Sequence, residues 1–180
     1  MPTKPEKALK RILTISRLDG RSVIFIAGLS TLLSLCFLDW FGVIIGGLVT
    51  FAGAYELRGH KRLLSGNADG MSHLVRAQLL ILATIWVYSI TSLVTFNEAK
   101  SVAHLNSALG SYGMDSSDSG PYLKQLNRLT YSTVLGVTLL FQGGLAIFYQ
   151  SRRVIIAQAL AERTAAAKVP PAVPPSLPGE

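Results

Sequence analysis

Apolar residues gather into four long runs, Ser22–Leu38, Trp40–Tyr55, Leu74–Phe96 and Leu129–Tyr149, separated by short polar or charged segments. A helix rises 1.5 Å per residue, so about 20 residues cross a hydrocarbon core of about 30 Å. The pattern predicts membrane-spanning helices at about 22–38, 40–57, 74–96 and 129–150. The first two are short and reach full length only with their flanking residues. A re-entrant hairpin would fit their length too, but two full spans are the favoured expectation. The predicted fold class is all-α: an integral membrane four-helix bundle forming one domain over 1–165, with a Pro-rich tail over 166–180.

The polar segments predict the remaining elements. Pro5–Leu18 sets Ala8, Leu9, Ile12, Leu13 and Ile15 among basic residues. That spacing makes a short amphipathic helix suited to the membrane surface, and a solvated leader that only enforces orientation fits equally well. Asp19-Gly20 is expected to break it before the first span. Asp39-Trp40 leaves room for only a tight turn, with Asp39 capping the second helix and Trp40 at the interface. Gly66-Asn67 supplies a stop after the second helix, and Asp69 or Ser72 a cap for the third. Beyond the third run, Asn97–Leu109 keeps helical spacing and is expected to continue the third helix outward, and Gly110–Gly120 reads as a loop. Pro121 then suits a first helical turn. Together these predict an extramembrane helical hairpin between spans three and four. The fourth helix is expected to run on to about Arg163, and the five prolines of Val169–Gly179 to leave the tail disordered.

Charge gives the orientation. The chain is strongly basic, with 17 Lys and Arg against 10 Asp and Glu. All but Lys100, Lys124 and Arg128 of the basic residues fall before the first run, between the second and third counted through Arg76 at the near edge of the third, or after the fourth. Lys and Arg resist translocation, so both termini are expected in the cytoplasm, in a plasma or inner membrane. The excess charge is thereby a topology signal, and nucleic acid is a poor candidate partner. Lys7, Lys10, Arg11, Arg58, Lys61 and Arg62 are candidate contacts for anionic lipid headgroups. A cleaved leader is not expected, because Leu35 is too large for the site before Cys36 and another apolar run follows at once. Cys36 stands alone, which excludes an intrachain disulfide.

Two kinds of pattern lie within the spans. Gly42, Gly46, Thr50 and Ala54 recur every four residues on the second helix, and Gly136 and Gly143 lie on the fourth. Small residues let helices approach closely where lipid supplies no hydrophobic drive, so these are candidate packing positions. On the third helix Thr84, Tyr88, Thr91 and Thr95 share a face; on the fourth, Thr138 and Gln142 fall together. Polar groups are costly against hydrocarbon, so these stripes should face protein or water. They are candidates for a wet path, with interhelical hydrogen bonding as the favoured plainer role.

No candidate for catalysis emerges. There is no phosphate-binding glycine loop beside a strand, no HExxH and no positioned Ser-His-Asp set. No charged residue lies deep within any predicted span, which argues against a proton-coupled carrier. Glu56 with His60, and Asp69 with His73, have the spacing of paired ligands on a helix, but Gly59 and Gly70 interrupt it, so no metal site or cofactor is expected. Asp115–Gly120 lacks the ligand spacing of a calcium loop. The expectation is a non-enzymatic polytopic membrane protein, self-associating and channel-like or transport-associated. The alternative is a scaffold that binds another membrane protein through its helices. Lipids, a second copy or another membrane protein are the expected partners.

Overall fold

The computed structural model describes residues 4–109 and 119–168, and these are helical throughout apart from short connections. Helix α1 spans Lys4–Cys36, α2 Trp40–Leu64, α3 Gly70–Val94, α4 Glu98–Leu109 and α5 Gly120–Thr138. A π-helical segment, Leu139–Gly143, joins α5 to α6, Gly144–Lys168. Four helical stretches are long and apolar enough to cross a membrane, so the chain is compatible with a multi-pass membrane protein. They run up, down, up and down, and the N-terminal part of α1 packs against α6. The end of the bundle holding this contact and the α2–α3 turn is the basic end; the opposite end is the loop end.

Several local expectations are corrected. Asp19-Gly20 does not break the chain, and α1 continues through it for 33 residues, about 50 Å. A Cβ on Gly20 would lie 2.9 Å from the Leu57 side chain, so this glycine serves close approach to α2 rather than a turn. The Pro5–Leu18 segment is therefore continuous with the first apolar run and not a separate short helix. Its apolar face finds protein: Leu9 and Ile12 are buried against α6. Asn97–Leu109 does not prolong the third span. Asn97 accepts the Lys100 amide at 3.1 Å and starts α4 as a separate helix. Beyond the loop, α5 and the fourth span form one continuous helical rod from Gly120 to Lys168, with Pro121 in its first turn. The Gly110–Gly120 loop falls mostly, and the tail from 169 on wholly, outside the described residues; α6 itself reaches Lys168.

The turns follow their residue chemistry. Asp39 Oδ1 accepts the Gly42 amide at 3.1 Å and caps α2. Leu38 carries the reversal with φ of 55°, a left-handed conformation that costs a non-glycine residue. Gly66 supplies φ of 85° after α2. Asp69 precedes α3 without a side-chain capping bond; Asn67 Oδ1 accepts the Asp69 amide instead.

The packed core lies at the basic end. Leu9, Ile12, Leu63, Met71, Leu74, Tyr149, Ile156, Ala159 and Leu160 form one buried cluster drawn from α1, α2, α3 and α6. Most of these residues lie beyond the apolar runs. Through the runs themselves, Phe25, Leu32, Ile44, Val87, Leu140 and Ile147 face outward. That is the expected disposition in lipid, where outward apolar side chains carry no penalty.

Candidate functional site

Below the packed core, the helices enclose a polar cluster and then part to leave a cleft. The cluster takes one residue from each of the four helices: Asp19, Glu56, Gln78 and Tyr149. Gln78 Nε2 donates to Asp19 Oδ2 at 2.8 Å, and the Tyr149 hydroxyl donates to Glu56 Oε1 at 3.4 Å. The Asp19 carboxyl and the Gln78 amide also stand against the Glu56 carboxyl. Glu56, Gln78 and Tyr149 have no exposure at all. Glu56 Oε2 and Gln78 Oε1 have no hydrogen-bond partner among the described residues. A buried carboxyl, Glu56, thus meets a half-buried one, Asp19, and among the described residues neither has a Lys, Arg or His in ion-pair contact, the one described ion pair being Lys10–Glu6 at 3.5 Å. Arg17 and Arg21 neighbour Asp19 in sequence but line a separate groove with His60. His60 Nδ1 lies 3.0 Å from Ser16 Oγ, and burial, with Arg17 and Arg21 nearby, holds its imidazole below the usual histidine range.

The cleft has a volume of about 470 Å³ and runs from Asp19 toward Tyr88. One wall is α1, with Ser22, Ile26, Ser30 and Ser34; the back is α2, with Gly42, Gly46 and Val49; Ile81, Ile85, Phe141 and Gln142 close the other side. The walls are mostly apolar with a few polar groups, the character of small-molecule sites. Gln142 reaches it from the π segment. It is 9% exposed, and its Oε1 has no partner among the described residues. A π turn widens the helix by one residue, a distortion that recurs at functional sites.

The small residues of α2 set how closely α1 approaches. A Cβ on Gly42 would strike Ser34 and Asp39, and one on Gly46 would strike Thr31. Thr50 bonds to the Gly46 carbonyl at 2.8 Å. Ala54 is exposed, and the contact passes to Gly53, against Val23 and Ile24. A four-residue step advances 400° on a helix of 3.6 residues per turn, so a strict four-residue stripe drifts off the contact face. Gly136 is exposed with open space above it, and Gly143 meets only Leu139 of its own π segment.

The polar stripes divide. Thr84, Thr138 and Gln142 are buried. Tyr88 pairs with Tyr131, hydroxyl to hydroxyl at 3.3 Å, near the loop end of the cleft. Thr91 is half-buried, and Thr95 is exposed and bonds back to the Thr91 carbonyl. Trp86 is half-buried with its Nε1 unpartnered among the described residues. Lys7, Lys10, Arg11, Arg58, Lys61 and Arg62 are all exposed at the basic end, Arg11 lying over the Phe148 ring at 5.9 Å. The paired acid–histidine spacings do not converge: Glu56 turns inward to Tyr149, whereas His73 stacks on Tyr55 and bonds to the Asp69 carbonyl.

Sequence reading missed the four-helix polar cluster. The signal was the helical register, which continues past each apolar run. Leu9, Ile12, Ser16 and Asp19 share one face of α1; Ala52, Glu56, Gly59 and Leu63 share one face of α2; Met71, Leu74, Gln78 and Ile81 share one face of α3. Each polar member stands in a stripe of buried positions. The chain matches no protein-family model, no curated protein and no solved structure.

Proposed function

We propose that this is a transport-associated membrane protein that acts without covalent chemistry, by admitting a small solute to the cleft between α1, α2, α3 and the π segment. The cleft is the observation that carries this reading: a cavity of about 470 Å³ at the depth of the apolar runs, with Gln142 and three serines on its walls. Lipid-facing helices have no need of such a lining. The charge asymmetry favours a basic end in the cytoplasm, with both termini on that side. Self-association fits the open side of the cleft, which a second copy would close. The competing reading is a scaffold whose cleft receives a helix of another membrane protein.

The test uses protein reconstituted in liposomes. A cysteine in place of Gln142, in a Cys36→Ser background, reacts with small water-soluble thiol reagents if the cleft admits water and solutes. Liposomes carrying the unmodified protein then pass ions or small organic solutes faster than empty ones, and modification at position 142 slows that passage. An unreactive cysteine in liposomes that stay tight supports the scaffold instead.

A further inference from the structure

The class of solute follows from the chemistry at the two ends of the cleft, taking the cleft reading above as its basis. Its basic end is Asp19, which is backed by Glu56. Negative charge on two touching carboxyls is self-repelling, and a cation beside them relieves that repulsion. The side chains around it, Gln78 of α3 and Tyr149 of α6, are uncharged hydrogen-bond donors. Arg17 and Arg21 of α1 and His60 of α2 face the other groove, while Arg76 of α3 and Arg152 and Arg153 of α6 are exposed. Negative charge on a half-buried carboxyl backed by a fully buried one, with no cation in contact among the described residues, is costly, so the site favours a positive occupant.

Gln142 points the same way from across the cleft. It is more than nine-tenths buried, it lines the cavity, and its free atom is a carbonyl oxygen, an acceptor. Among the described residues no Lys, Arg or His lines the cleft. Between the acceptors the walls are Ile26, Val49, Ile81, Ile85 and Phe141. We infer that the cleft binds an organic cation with an apolar body, the charge seated at Asp19 and the body along the aliphatic wall.

Tetraphenylphosphonium and tetraphenylborate are matched in size and opposite in charge, and so separate charge recognition from shape. Equilibrium binding to the purified full chain in detergent is expected to be saturable for tetraphenylphosphonium and absent for tetraphenylborate. Asp19→Asn keeps an acceptor for Gln78 but removes the charge, and is expected to weaken binding by about tenfold or more. Ser30→Trp fills the cleft away from the carboxyl pair and is expected to abolish binding, which covers the case of an Asp19 variant that does not fold. Equal binding of the two probes, or unchanged affinity in both variants, overturns the inference. Absence of tetraphenylphosphonium binding to a protein whose position 142 is thiol-reactive overturns it while leaving the cleft reading intact. An unreactive position 142 removes both.

Discussion

The same four helices are packed tightly at the basic end and loosely through the apolar runs. At the basic end Leu63, Met71, Leu74 and Ile156 are fully buried, whereas a few turns away Phe25, Leu32 and Ile147 face outward and a cleft separates α1 from the π segment. A multi-pass placement, with the apolar runs in lipid and the basic end in water, accounts for the contrast. In water, burying apolar surface drives helices together, and the basic end collapses onto a core. In lipid that drive is absent, and helices hold by small-residue contacts and hydrogen bonds. The basic end can therefore fix the spacing of helices whose membrane portions nothing pulls shut.

The largest effect should separate the two regions. Leu74→Ala empties a fully buried position and should cost about 2–5 kcal/mol in unfolding measured in detergent, whereas Ile147→Ala on an outward face should leave stability nearly unchanged. Equal losses would mean that the membrane portion is packed as tightly as the basic end. Next is a pair of neighbouring glycines on α2. Gly46→Leu drives a side chain into Thr31 and should cost about 1–3 kcal/mol, while Gly47→Leu points into open space and should be silent. A silent Gly46→Leu would show that α1 and α2 do not depend on this contact.

Tyr149→Phe keeps the ring in the core but removes the hydroxyl that donates to Glu56, for an expected loss of about 1 kcal/mol. Thermal melts of the single variant, and of the double variant with Glu56→Gln, give the coupling; additive losses would contradict a shared cluster. The smallest effect belongs to Gln142→Leu. Its carbonyl has no partner among the described residues, so the change should fall near or below the roughly 0.6 kcal/mol typical of polar contacts in membranes. A much larger loss would make Gln142 a packing residue rather than a lining one.

Much of the fold was legible because apolar runs of membrane length have few alternatives. The four apolar helices, the Asp39 cap and the Gly66 turn all follow from local residue chemistry. The continuity of α1 through Asp19-Gly20 was not legible, since a glycine reads locally as a break and only α2 shows why it is needed. The cleft was half legible. Gly42, Gly46, Gln142 and Tyr88 all line it, but they were assigned to separate packing and polar stripes. Asp19 and Glu56 were passed over because each stands at the edge of an apolar run, where charges usually meet water. Which edge charges turn inward depends on four helices agreeing in register, and no single segment records that.

The most direct measurement is a cysteine scan along α1 from Ser22 to Ser34, in a Cys36→Ser background, with a water-soluble thiol reagent and protein in liposomes. Ser22, Ile26, Ser30 and Ser34 line the cleft, whereas Phe25, Leu29, Leu32 and Leu33 are exposed elsewhere on the helix. Under this account reactivity repeats with the helical period, high at the first set and low at the second. Uniformly low reactivity, or the opposite phase, would contradict a solute-accessible cleft beneath the packed basic end.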